Sequence, residues 1–207
     1  MKIEIWSDVV CPWCYIGKRR LEHALGEFEH ADDVEVTWRS FQLNPDAPRT
    51  AVPTRDYLKN RFGPQATAMT SRVAELGRAE GLNLDFDTSL TVNTLTAHRA
   101  LHFAASQGLG DAAKERLLRA HFSEGADVSD HETLAKLLAE AGVDADRTRA
   151  VLAGKDYAIE VRDDIEEADR LGITGVPFFV IDRKYAISGA QPAETFLHAL
   201  RTAYAPA

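Results

Sequence analysis

Two residues carry the chemistry of this chain. Cys11 and Cys14, in Cys11-Pro12-Trp13-Cys14, are its only cysteines. A thiolate is a nucleophile, and a second thiol about one helical turn away can close a disulfide on it or release a mixed one. The flanking pattern supports that use. Before the motif, Lys2-Ile3-Glu4-Ile5-Trp6-Ser7 puts Ile3 and Ile5 on one face, as a strand does. After it, Ile16, Leu21, Ala24, Leu25 and Phe28 fall near helical spacing. The cysteines therefore sit where a strand ends and a helix begins. Unpaired N–H groups and the positive end of the macrodipole favour an anion there. Cys11 is the expected attacking sulfur and Cys14 its resolving partner. Pro12 suits a first helical turn, which needs no N–H from it.

Two other uses of the pair stand beside this one. A zinc site wants four ligands, but no second C-x-x-C exists and none of the seven histidines forms an obvious pair near the thiols. The cysteines can also be inert packing. A purely structural disulfide is disfavoured, because so short a loop restricts the unfolded chain little.

At 207 residues the chain can bury a full core, as one domain or one domain with an insertion. A formal net charge of -8 argues against nucleic acid and against an anionic membrane surface as partners. No apolar run approaches membrane-spanning length. The first strand begins at Ile3, which leaves no room for a signal peptide, so a cytoplasmic location is expected. Paired cysteines in a reducing compartment are more often catalytic or metal-binding than structural.

The elements that must position the thiols follow in order. Val34 to Phe41 alternates and is rich in β-branched and aromatic residues, a second strand parallel to the first in a right-handed βαβ unit. Prolines at 45, 48 and 53 mark a loop leaving the sheet. From Thr54 to Leu171 the pattern is helical throughout. Met69, Val73 and Leu76 share one face, and Ser129-Asp130-His131-Glu132 is a capping box. Asn93 and Asp144 each stand where a helix cap is expected. After Gly175, Val176 to Ile181 and Tyr185 to Ser188 make a hairpin, and a last helix follows Gln191-Pro192, with Gln191 as its expected cap. The expected fold is α/β, with residues 1–50 and 172–207 sharing one sheet and residues 54–171 forming an all-helical insertion between the βαβ and ββα halves.

Together these features resemble the thioredoxin superfamily, and more closely the DsbA-type oxidoreductases with a helical insertion, of the cytoplasmic FrnE type. The matching stretches are Ser7 to Gly17, Trp38 to Pro45, Asn93-Thr94 with Ala97-His98-Arg99, Gly172 to Phe179, and Ser188 to Gln191. The resemblance implies a cis Val176–Pro177 bond facing the cysteines. It implies that the Val176 backbone pairs with an extended substrate segment. It further implies thiol–disulfide exchange or isomerisation on protein or small-molecule disulfides and thiols, by a monomer or homodimer. No metal or organic cofactor is expected, and glutathione is admitted only as a redox co-substrate.

Many thioredoxin-like proteins carry a buried acid six residues before the first cysteine. Here that residue is Ile5, with Asp8 and Glu4 as substitutes. Pro12 and Trp13 are candidate substrate contacts, Trp13 as an apolar platform at the rim. His98 is a candidate for stabilising a thiolate or relaying a proton. Asn93, first a helix cap, is a weaker candidate for touching glutathione or substrate. Two rival functions remain. One is a glutathione-dependent isomerase or transferase similar to the kappa class, which typically has serine at the position of Cys11. The other is a non-catalytic module with an apolar groove.

Overall fold

Alternation in the first strand sends Ile3 and Ile5 to one face of a sheet and Glu4 and Trp6 to the other, all buried. The computed structural model describes residues 1–204. In it, β1 (Lys2–Ser7) leads through the cysteine motif into α1 (Pro12–Gly26), and β2 (Glu35–Ser40) returns parallel to β1, with Lys2 opposite Glu35 and Ser7 opposite Ser40. Next come β3 (Val52–Pro53), α2 (Thr54–Phe62), α3 (Gln65–Ala79), β4 (Leu90–Thr91), α4 (Leu95–Ser106) and α5 (Gly110–Ser123). Then follow α6 (His131–Glu140), α7 (Ala145–Ala153), α8 (Ala158–Arg170), β5 (Phe178–Ile181), β6 (Tyr185–Ser188) and α9 (Ala193–Tyr204).

The two ends of the chain meet in one four-stranded sheet, in the order β2-β1-β5-β6. β5 pairs antiparallel with both β1 and β6. The hairpin turn uses Asp182 and Arg183 at φ +48° and +57°, the left-handed pair that suits a tight two-strand connection. Asp182 is held there because its carboxylate accepts the Lys2 N–H at 2.6 Å.

One sheet face carries Ile3, Ile5, Phe179, Ile181 and Ile187 against α1, the turn after it and α9, through Leu21, Phe28, Phe196 and Leu200. Fully burying each such side chain contributes on the order of 2 kcal/mol. The other face packs Trp6 and Val180 against Ala168 of α8 and Ile173. The helices between the halves have their own core, around Leu101, Phe103, Leu117, Leu134 and Leu138, and Val9 from the cysteine loop joins it. Tyr15 and Ile16 of α1 pack on Leu118 and Phe122 of α5. The cysteine helix thus lies between the sheet and the inserted helices. This is the thioredoxin-like arrangement expected from the sequence.

Three local expectations are corrected. The insertion is not wholly helical, because Leu90–Thr91 forms a short strand on Val52–Pro53. Two backbone pairs there tie the start of the insertion to the connector before α4. The cap of α6 is Asp130, whose carboxylate accepts the Thr133 N–H at 2.7 Å. Ser129 instead donates to Asp127, and Glu132 pairs with Arg149. The shared face of Met69 and Val73 on α3 is present and borders a cavity, where Met69 is 49% exposed. Gln191 donates to the Ser188 carbonyl and caps nothing. The cap expected at Asp144 is present, accepting the Arg147 N–H at 2.8 Å. No described helix is long and apolar enough to cross a membrane.

Candidate active site

Cys11 is the N-cap of α1, with extended backbone, and Pro12 opens the helix. The Cys14 N–H reaches back to the Cys11 carbonyl at 3.0 Å. Both cysteines are free thiols, and both are buried. The Cys11 S–H has two acceptors in reach: the Cys14 sulfur and the Val176 carbonyl, at 3.5 Å. The Val176–Pro177 peptide is cis. Antiparallel pairing of β5 with β1, Trp6 opposite Phe178, carries this peptide to the thiols. α1 comes close enough to it that a Cβ on Gly17 would lie 3.0 Å from Pro177 Cγ.

The two sulfurs titrate as one unit. Donation of the Cys11 S–H to the Cys14 sulfur and burial hold the Cys11 thiol well above the ordinary value, and the Asp8 carboxylate adds to this. Burial also opposes ionisation of Cys14. There it is outweighed by the Cys11 S–H bond, the Lys114 ammonium, the Ser7 hydroxyl and the Asp8 N–H, which together hold the Cys14 pKa below the ordinary thiol value. The sequence placed the anion on Cys11. Within the coupled pair the shifts run the other way, Cys11 raised and Cys14 lowered, because a lysine from the insertion and the N–H of Asp8 reach the inner sulfur. The helix terminus acts on Cys11 as expected, through the Cys14 N–H, but more weakly than the terms that oppose it.

Lys114 is 1% exposed and was not among the sequence candidates. A signal for it existed. Positions 114, 117, 118, 121 and 122 form the apolar stripe of α5, and Lys114 and His121 occupy core places in it. Burial pulls the Lys114 pKa down, against the pull of Cys14, Asp8 and Cys11. Its ammonium also lies 5.4 Å from the Trp38 ring centroid.

Of the two substitute acids, Asp8 is the one beside the dithiol. It is 1% exposed, accepts from Leu43 N at 2.9 Å and lies 3.3 Å from His98 Nε2. Burial works against its charge, but the His98 bond, with help from Leu43 N–H and Lys114, holds its carboxyl below the usual range. Asp8 therefore acts as a fixed negative charge and is a weak base. Glu4 turns to the opposite sheet face, where Arg39 and Arg183 bind it.

The remaining candidates are placed as follows. His98 is buried and bonds Asp8, so it stands in the layer behind the thiols. Asn93 accepts from Leu95 N and Gln42 Nε2 and donates to the Pro45 carbonyl, which ties the loop after β2 to the start of α4. Trp13 is 40% exposed and, with Pro12, borders an apolar cavity between the motif and α2–α3. Among the described residues, no three His, Cys, Asp or Glu side chains gather into a group able to hold a metal ion. A zinc reading of the two cysteines thus lacks its other ligands.

Known proteins resemble this chain over most of its length. A Bacillus subtilis protein, the uncharacterized YwbO, is 30% identical over 200 residues, covering 96% of this chain and 94% of that protein. A crystal structure of a probable DsbA oxidoreductase from Streptomyces coelicolor is 44% identical and superposes with a TM-score of 0.94, covering all of this chain and 92% of that one. The cytosolic disulfide reductase DsbM of Pseudomonas aeruginosa, solved with GSH, shares the fold at a TM-score of 0.68 and 22% identity, over 98% of each chain. The family model of the DSBA-like thioredoxin domain matches residues 2–201. A paired dithiol at a helix start, a cis proline against it and a match over nearly the full length lead to one conclusion: this chain belongs to the DsbA-like thioredoxin domain family.

Proposed function

We propose that the protein is a cytoplasmic thiol–disulfide oxidoreductase that works through Cys11 and Cys14 on protein or small-molecule disulfides. The observation that carries this is the coupling of the two buried sulfurs beside the Val176 carbonyl and Lys114. As a substrate disulfide approaches Cys11, the proton shared by the pair passes to Cys14. Cys11 attacks one substrate sulfur, the S–S bond breaks, and one substrate thiolate leaves. Cys14 then loses its proton, helped by Lys114, and attacks Cys11 Sγ. The second substrate sulfur leaves as the thiol, and a Cys11–Cys14 disulfide remains. The reverse sequence oxidises a dithiol. In this reading Val176 offers backbone to an extended substrate, Pro12, Trp13 and Pro177 shape the contact, and His98 acts through Asp8.

Glutathione is the proposed small-molecule reductant of the resulting disulfide. The DsbM structure, which contains GSH on the same fold, supports this. Retention of both cysteines favours redox exchange over the kappa-class type of chemistry. The test is reduction of insulin by dithiothreitol. Wild type accelerates it, Cys11→Ser does not, and Cys14→Ser accumulates a mixed disulfide through Cys11 that is visible by mass spectrometry. Equal rates for wild type and Cys11→Ser would remove the proposal.

A further inference from the structure

The cavity beside Pro12 and Trp13 has a volume of about 380 Å³, within the range of small-molecule sites. Its wall is largely apolar, with Val10, Leu58, Phe62, Val73, Phe86 and Val92 among the lining side chains. Most polar groups on that wall already have protein partners. Thr91 donates to Thr54 at 3.1 Å, Asn44 to the Tyr57 hydroxyl at 2.8 Å, and Asp8 accepts from Leu43.

Two do not. Ser89 Oγ and His121 Nδ1 are buried polar atoms with no protein partner, and both residues line this cavity. Ser89 is 1% and His121 2% exposed. Each unmatched group costs about 1–3 kcal/mol. Neither is a product of loose structure. The Ser89 N–H donates to Asp85 and its carbonyl accepts from Thr54 N at 3.0 Å, so the hydroxyl is held in place. His121 is fixed on the apolar stripe of α5. Burial pushes its pKa down to about 4, so at neutral pH it presents an uncharged ring with one donor and one acceptor. The one arginine on the wall, Arg61, is exposed and donates to the Tyr57 hydroxyl at 3.3 Å, so no buried cation neutralises an acid there, and the buried Asp8 carboxylate repels one.

We propose that this cavity holds the body of a small-molecule disulfide or thiol: an apolar, uncharged scaffold whose hydroxyl, carbonyl or amide group meets Ser89 Oγ and His121 Nδ1. The inference rests on the dithiol reading and narrows its substrate class. The sulfur of such a ligand lies toward Pro12 and Trp13, where the cavity borders the motif. Exchange balances as written above: one substrate S–S bond is reduced to two thiols while the cysteine pair is oxidised.

The test compares two disulfides of alkyl thiols. One is the disulfide of para-(mercaptomethyl)benzamide, apolar with a neutral amide. The other is glutathione disulfide, larger and charged. Wild type should reduce the first with a kcat/KM about tenfold higher. Ser89→Ala should lower that value about three- to tenfold, the range of one hydrogen bond. Thr70→Trp, which fills the cavity from half-exposed helix surface, should remove the preference. Both variants should leave glutathione disulfide within about twofold of wild type. Equal losses on the two substrates, or no preference in wild type, overturn the subsite. A second measurement separates the two proposals. Para-(methylthiomethyl)benzamide, which cannot exchange, should bind a Cys11→Ser, Cys14→Ser variant by calorimetry and fail to bind when Thr70→Trp is added. Absence of binding to the serine variant overturns the subsite. Binding there, with no turnover of either disulfide by wild type, supports the ligand class and overturns the dithiol reading instead.

Discussion

Gly17 is where the packing of the site can be tested by one methyl group. It lies inside α1, where glycine costs about 1 kcal/mol relative to alanine. Helix propensity alone therefore predicts that Gly17→Ala stabilises the protein by about that amount. The surroundings oppose it. An added Cβ would lie 3.0 Å from Pro177 Cγ, 3.2 Å from Phe179 Cζ and 3.5 Å from Ala190 Cβ. Carbon pairs are at ease near 3.5–4.0 Å, so the first two neighbours must retreat by several tenths of an ångström. Neither is the free end of a flexible chain. The Pro177 carbonyl accepts the Gly189 N–H at 2.9 Å, and Phe179 is 1% exposed, edge-on to Phe196 with centroids 4.7 Å apart. Overpacking of this kind costs about 1–3 kcal/mol. The net expectation is destabilisation by about 1 kcal/mol, or a Tm lower by about 2–4 °C for a chain of this size.

Activity should fall further than stability. Pushing α1 off Pro177 separates Cys11 from the Val176 carbonyl, and misplacements near 1 Å can cost up to about a hundredfold in rate. A loss of about tenfold in kcat/KM for disulfide reduction is expected. Urea unfolding and insulin reduction measure the two effects. A Gly17→Ala protein that gains about 1 kcal/mol and keeps full activity would refute the close packing of α1 on the proline segment.

Three further outcomes follow from the same geometry. Lys114→Met removes the cation that favours the Cys14 thiolate, so the dithiol should first ionise at higher pH; an unchanged thiolate absorbance titration would refute the role. His121 is held neutral by burial, with its pKa lowered from 6.5 to about 4. As pH falls through that window the unfolded chain takes up the proton first, so this group lowers stability progressively from pH 6.5 toward 4, by about 3 kcal/mol in all. His121→Leu should flatten that part of the stability–pH curve, read by urea unfolding at several pH values; an unchanged slope would refute the assignment. Asp130→Ala should cost about 1 kcal/mol by loss of the α6 cap, whereas Ser129→Ala should leave thermal stability nearly unchanged.

The elements legible from the sequence are those whose cause is local. Alternation in Lys2–Ser7, helical spacing after Cys14 and the hairpin near Asp182 are short-range patterns, and the structure contains each of them. Asp144 is a cap in both readings because capping is decided within four residues. The same kind of reading failed at Ser129 and Gln191. At Ser129 the adjacent Asp130 takes the role, and Gln191 turns back to the Ser188 carbonyl.

What the sequence alone determined was the dithiol, its place at a helix start and the fold that carries it, because these follow from residue type and period. The electrostatic balance between the two sulfurs was decided only by tertiary structure. Lys114 lies a hundred residues along the chain from Cys14 and touches its field only because α5 packs on α1. Coulomb interactions depend on distance through space and on the burial of both charges, and neither quantity is written in sequence spacing.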